Sequence, residues 1–139
     1  MSGKKLYRSR AGWYSIEYPE GWIVEESQDL ITLYKTETGC GALQVSAYRT
    51  PGHQDTRQVL LEYFTDKGLP NNGAMMISNQ EGPKHVSTHS YVENEWYRQI
   101  WVISQDVYLL FVTYNCKYAD KERAEVLDII SSITINPSR

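Results

Sequence analysis

The three histidines and two cysteines are the side chains of this 139-residue sequence best suited to metal or nucleophilic chemistry. His85 and His89 stand at i and i+4, a spacing that places two ligands on one side of a helix. The segment KHVSTHSYV around them alternates as a strand instead. On a strand that spacing leaves both rings on one face but roughly 13 Å apart, too far for one ion. Solvated strand histidines are therefore expected, and His53, in a Pro-Gly turn beside Asp55, is expected on a surface loop. Cys40 lies between Gly39 and Gly41. An exposed thiol there becomes a nucleophile only if a base lowers its pKa, and the sequence supplies no such partner. A hairpin turn whose glycines take positive φ accounts for the same three residues. Cys40 and Cys116 are distant and form no CxxC, which is neither a zinc pattern nor a disulfide framework. Two reduced thiols are the expectation, with a single bridge as the alternative. The acidic pairs, Glu25-Glu26 and Glu93 with Glu95, fall at turns, where carboxylates are solvated. No GxSxG, P-loop or GxGxxG occurs. Neither a metal nor a cofactor is called for, and catalysis is not the expected role.

Composition bounds the rest. The length suits one domain, taken as residues 1–139, with a core that needs no staples. A net charge of −3 argues against a nucleic-acid partner, which needs a basic face, and the only basic cluster is Lys4-Lys5 with Arg8 and Arg10. No apolar run is long enough to span a membrane. No apolar stretch follows MSGKKLYRSR to make a signal peptide. The expected compartment is the cytoplasm, or an extracytoplasmic one if Met1–Lys5 stands where a leader was removed. The eleven tyrosines and four tryptophans are the most unusual feature. Such aromatics bury large areas yet tolerate water at their polar tips, so they serve cores and interfaces alike.

The chain is organised around Glu95–Cys116, EWYRQIWVISQDVYLLFVTYNC. It reads as two long strands joined by a tight turn near Ser104-Gln105-Asp106. Trp96, Ile100 and Val102 share one face with Arg98; Tyr97, Trp101 and Ile103 share the other with Gln99. In the second strand Val107, Leu109 and Phe111 oppose Tyr108, Leu110, Val112 and Tyr114. Large apolar groups on both faces place this hairpin in the middle of a sheet, covered on both sides or covered on one and aromatic on the other.

Before it come strands at Trp13–Tyr18, Trp22–Val24, Leu30–Lys35 and Leu43–Tyr48, with turns at Pro19-Glu20-Gly21, Glu25–Asp29 and Thr36–Gly41. Asp55 offers an N-cap with Gln58 at N3, and Gly68 followed by Pro70 ends the helix, so residues 56–67 are helical. Val59, Leu60, Tyr63 and Phe64 form its apolar stripe. Pro70–Gly82 reads as irregular, Lys84–Glu93 as a strand, and Glu93-Asn94-Glu95 as the turn into the hairpin. Asp120 caps a second helix with Val126, Leu127, Ile130 and Ile133 inward, and Ile133–Ile135 adds a short terminal strand. Residues 1–10 read as a loose lead-in. The fold class is α+β, a mainly antiparallel β-sheet flanked by two helices, in the order ββββ-α-βββ-α.

The stretch Tyr14-Ser15-Ile16-Glu17-Tyr18-Pro19-Glu20-Gly21-Trp22 resembles the opening strand and YPxGW turn of the Mog/PsbP-like superfamily, including its bacterial DcrB-like branch. Val126–Ile133 resembles that group's last helix, leading into a final strand. The resemblance implies an antiparallel sheet flanked by helices, an α-β sandwich. It also implies a largely non-enzymatic role in binding other proteins, such as the GTPase Ran, photosystem components or hydrophobic segments of secreted toxins. No motif for any of those partners occurs, so no binding residue is carried over.

The reading that follows is a small non-catalytic protein-binding module, an adaptor, chaperone or immunity-type protein. Tyr97, Trp101, Tyr108 and Tyr114 form one aromatic sheet face, a docking surface if the helices leave it open. The alternative is a small-molecule-binding or enzymatic domain, with a pocket between sheet and helix where Arg98, Gln99 and His85 converge. Homodimerisation through the sheet is a third expectation.

Overall fold

The computed structural model describes residues 3–28, 30–35, 41–69, 76–117 and 122–136. Up to the first helix the elements are β1 (Lys4–Arg8), β2 (Tyr14–Pro19), β3 (Trp22–Glu26), β4 (Ile31–Lys35) and β5 (Gly41–Arg49). Then follow α1 (Thr56–Lys67), β6 (Ile77–Glu81), β7 (Lys84–Glu93), β8 (Trp96–Gln105), β9 (Tyr108–Cys116), α2 (Arg123–Ser131) and β10 (Thr134–Ile135). The order ββββ-α-βββ-α holds. Among the described residues, β1, β6 and β10 add to it.

The strands form two sheets, one of seven strands in the order β3-β4-β5-β9-β8-β7-β6 and one of three in the order β1-β2-β10. All pairings are antiparallel. The β8–β9 hairpin lies inside the larger sheet, as its two apolar faces require. Its loop is Asp106-Val107, with Gln105 opposite Tyr108 and Asp106 at φ 60°. The β7–β8 loop is Asn94-Glu95, both left-handed at φ 52° and 70°, as a two-residue hairpin turn demands.

Two strands overturn the sequence reading. Lys4–Arg8 is an edge strand paired along its length with β2, from Lys4 opposite Pro19 to Arg8 opposite Ser15. Ile77–Glu81 is the other edge, paired with β7. All five residues of β6 are exposed, and Tyr7 is the one residue of β1 turned partly inward. An edge strand held by backbone bonds needs no apolar alternation, and its charges guard against edge-to-edge pairing.

One core lies between the two sheets. It joins Tyr14 and Ile16 of β2, Leu43 and Val45 of β5, Trp101 and Ile103 of β8, Leu110, Val112 and Tyr114 of β9, and Val126, Ile129 and Ile130 of α2. Leu127 is exposed and Ile129 is inward, so the apolar face of α2 is rotated from the expected one. The proposed cap at Asp120 and residues 36–40 of the turn expected at Thr36–Gly41 lie outside the described residues; Gly41 opens β5 rather than the turn and does not take positive φ. The second core sits on the opposite face, where Leu60 and Phe64 of α1 pack on Ile100, Val102 and Leu109. α1 follows its sequence signals. Asp55 accepts from the Arg57 and Gln58 amides, and Gly68 at φ 64° donates to Phe64 O and Thr65 O.

Candidate functional site

Tyr97, Trp101, Tyr108 and Tyr114 do share one face of β8 and β9, but it is not open. Trp101, Tyr108 and Tyr114 are buried, and Tyr97 is half-buried. The three-stranded sheet and α2 cover that face, so these side chains are the interior of the sandwich. Their polar tips are satisfied inside it. The Tyr114 hydroxyl donates to Glu122 Oε1 at 2.8 Å, and burial followed by that carboxylate pushes its pKa well above the ordinary value. The Tyr97 hydroxyl accepts from Arg123 at 2.7 Å and donates to Gln99 Oε1 at 2.6 Å.

The opposite face is only half covered. α1 packs over β7 and β8. Beside it, over β5 and β9, lies a groove of about 340 Å³ lined by Gln44, Ser46, Tyr48, Tyr63, Phe111 and Thr113. Sequence alternation alone puts Gln44, Ser46 and Tyr48 on the side of β5 away from Leu43, Val45 and Ala47. Tyr48 is 50% exposed. Its ring meets Phe111 edge-on at 6.0 Å, and Tyr63 of α1 meets Phe111 at 5.6 Å. Thr32 opposite Gln44, and Tyr34 opposite Ala42 and Ile23, continue this face to the edge of the sheet. The groove is an aromatic step flanked by side chains with hydroxyls and amides.

His89 departs from expectation: it is buried rather than solvated, its ring 5.0 Å from Phe64 under α1, and among the described residues its Nδ1 has no hydrogen-bond partner. His53 is exposed in the loop before α1, as expected, and its ring stands 4.8 Å from that of His85. The two line a shallow polar hollow at the start of α1. There Thr56 Oγ1 and Ser78 Oγ each lie 2.8 Å from Ser87 Oγ. No cluster of three or more metal-ligating side chains occurs among the described residues. Arg98, Gln99 and His85 do not converge. Arg98 and Gln99 are neighbours on one strand and so point to opposite faces, and His85 pairs with Ser104 at the far end. Arg98 instead donates to Asn115 Oδ1 at 2.8 Å.

Cys116 is disulfide-bonded, which corrects the expectation of reduced thiols. The only other cysteine in the chain is Cys40, which lies outside the described residues, as does the nucleophile reading placed on it. Sequence reasoning also missed two glutamates at the start of α2. Glu122 is buried and accepts from the Gly41 amide at 3.1 Å as well as from Tyr114. Glu125 clamps α2 to the larger sheet, accepting from Trp22 Nε1 at 2.9 Å and Lys35 Nζ at 2.7 Å. Only the tertiary fold brings these donors to them, so no local pattern signals either role.

The arrangement of helices on an antiparallel sheet defines a PsbP-like α+β sandwich, and solved structures match it. The solution structure of cyanobacterial PsbP from Synechocystis is 15% identical, with a TM-score of 0.67 over 98% of this chain and 94% of that one. A crystal structure from Bacteroides thetaiotaomicron is 14% identical, with a TM-score of 0.71 over 99% of this chain. This chain spans 50% of the length of that protein. At such identity the likeness is one of fold. No curated protein matches the chain in sequence. Over residues 1–139 the chain belongs to the family described as a domain of unknown function, DUF3805. Among the described residues, no helix is long and apolar enough to cross a membrane.

Proposed function

We propose that this chain is a bacterial, non-catalytic protein-binding module of the DcrB-like branch, which docks a partner segment on the half of its larger sheet that α1 leaves uncovered. The observation that carries the reading is the aromatic groove of Tyr48, Phe111 and Tyr63. An exposed tyrosine, Tyr48, beside half-buried Tyr63 and Phe111 offers apolar contact and hydrogen-bonding tips together, the composition of binding hot spots. Gln44, Ser46 and Thr113 along the groove can satisfy a partner's backbone groups. Such side chains hold a chain and are poor at moving protons. A PsbP-like fold in structures from two bacteria supports the assignment to a bacterial branch.

Site-specific photo-crosslinking in the host tests the reading. A benzophenone side chain at Tyr48 should yield one discrete crosslinked species. The same group at Ile77, exposed on the edge strand β6, should yield none. A product of twice the mass of the chain identifies a second copy as the partner. No product from Tyr48, or equal yields from both positions, defeats the reading. The disulfide at Cys116 supports an extracytoplasmic site of action, because disulfides persist in oxidising compartments. Thiol-specific labelling of intact host cells should then leave both cysteines unmodified.

A further inference from the structure

The two sheets of the sandwich part at one end and leave a cleft of about 440 Å³, within the size range of small-ligand sites. Its floor is rigid and apolar. Ile31 and Val45 are 4% and 0% exposed and belong to the core, and Ala47 continues the row. One wall is Trp13, held in place by a ring contact with Tyr108 at 5.3 Å. Among the described residues the rim carries one charge of each sign, side by side: Arg10 Nη2 lies 2.8 Å from Glu26 Oε2.

That rim pair is built to open. The Arg10 side chain is 84% exposed and that of Glu26 is 40% exposed. An exposed ion pair contributes only about 0–1 kcal/mol, so parting it costs little. With the pair closed, hydrogen bonds from Arg10 and then Tyr7 hold the Glu26 carboxyl below its ordinary value, and the Tyr7 contact remains when Arg10 swings away. The Tyr7 hydroxyl, pushed up to about 12 by burial and then by Glu26, remains a neutral donor. A ligand of one sign would satisfy one rim residue and crowd the other. A phosphate would face the Glu26 carboxylate, and a neutral sugar could hydrogen-bond to both residues but would balance neither charge. A ligand bearing an ammonium and a carboxylate on one carbon replaces each rim residue's partner with another of the same sign.

We propose that this cleft binds a free α-amino acid with a bulky apolar side chain. Its ammonium meets Glu26, its carboxylate meets Arg10, and its side chain rests on Ile31, Val45 and Ala47 against Trp13. The site is separate from the partner groove, although Tyr48 borders both, and it stands or falls independently of the protein-binding reading.

The test is a nitrogen-15 NMR titration with L-phenylalanine, phenethylamine and N-acetylphenylalanine as probes. With phenylalanine the Trp13 indole resonance should shift and saturate. That of Trp22, buried and bonded to Glu125, should stay put and serves as the internal reference. Phenethylamine lacks the carboxylate and N-acetylphenylalanine lacks the ammonium, and each should bind about tenfold more weakly, the loss of one charge-assisted contact. Glu26→Gln and Arg10→Gln should each weaken phenylalanine to the same degree. If Glu26→Gln disturbs folding, Arg10→Gln decides, since so exposed a side chain supports little structure. A Trp13 signal unmoved at about 10 mM phenylalanine, or three probes binding within about twofold of one another, overturns the proposal.

Discussion

Gly41→Ala is the substitution whose effect the structure sets most sharply. Gly41 opens β5 directly opposite Cys116, the disulfide-bonded residue of β9. A Cβ there would overlap the Asn115 carbonyl oxygen and would stand 2.8 Å from Cys116 Cβ and 3.0 Å from its Cα. These are backbone atoms and the root of a cross-link, held by the β5–β9 ladder, so they cannot swing aside as a flexible side chain would. The first residue of β5 must move instead, and its amide donates to the buried carboxylate of Glu122. Forcing a methyl into packed structure costs about 1–3 kcal/mol. Weakening a hydrogen bond to a charged group costs a similar ~1.5–3 kcal/mol. The two overlap in one displacement, so a loss of about 3 kcal/mol is expected. With a urea slope of about 2 kcal/mol/M, the unfolding midpoint should fall by about 1.5 M at unchanged slope. Gly52→Ala is the control: a Cβ there meets no atom within 4 Å, and the midpoint should stay within about 0.3 M of the parent. A Gly41→Ala midpoint equally close to the parent would refute the reasoning, because it would mean that the strands can part at Cys116 without loss.

Two further outcomes follow from the clamps around α2 and β9. Burial raises the pKa of Glu125, but hydrogen bonds from Lys35 and Trp22 outweigh it and leave the carboxyl below its ordinary 4.5. The unfolded chain therefore binds the proton more tightly, so this stabilisation is complete above pH 4.5 and fades as pH falls below it. Thermal melts from neutral to acidic pH should show that decline, and Glu125→Gln should flatten it. Reduction should lower stability by about 2–4 kcal/mol, the usual contribution of a bridge that closes a long loop. Denaturant curves with and without reductant measure the difference, and a thiol assay on the unreduced, unfolded protein should find no free cysteine.

The fold was legible wherever the signal was local. Asp55, Gly68 and the Val59–Phe64 stripe announce α1 because caps and periodicity act within a few residues. The alternating faces of β8 and β9 announce a hairpin inside the sheet for the same reason. What covers each face is not local. Tyr97, Trp101, Tyr108 and Tyr114 read equally well as an open aromatic surface or an interior, and only the return of β2, β10 and α2 over them decides. The groove at Tyr48 was hidden because its exposure depends on how far α1 reaches across the sheet. β1 and β6 were invisible because backbone pairing leaves no pattern in side chains that face water, as all but Tyr7 of these strands do. His89 misled because alternation locates a face but not the helix that buries it.

The small sheet joins the two ends of the described chain. β2 has β1 on one side and β10 on the other, with Ser15 opposite Thr134 and Tyr14 opposite Ile135. Contacts between residues so distant in sequence form late, because a large loop must close before they gain anything. During synthesis the larger sheet can be complete through β9 while Trp101, Val112 and the rest of its inner face still lack a full cover. The nascent protein therefore passes through an interval in which a broad apolar sheet faces water until α2 and β10 have emerged from the ribosome. Chaperone capture and aggregation should concentrate in that interval, and truncations that remove β10 should raise both.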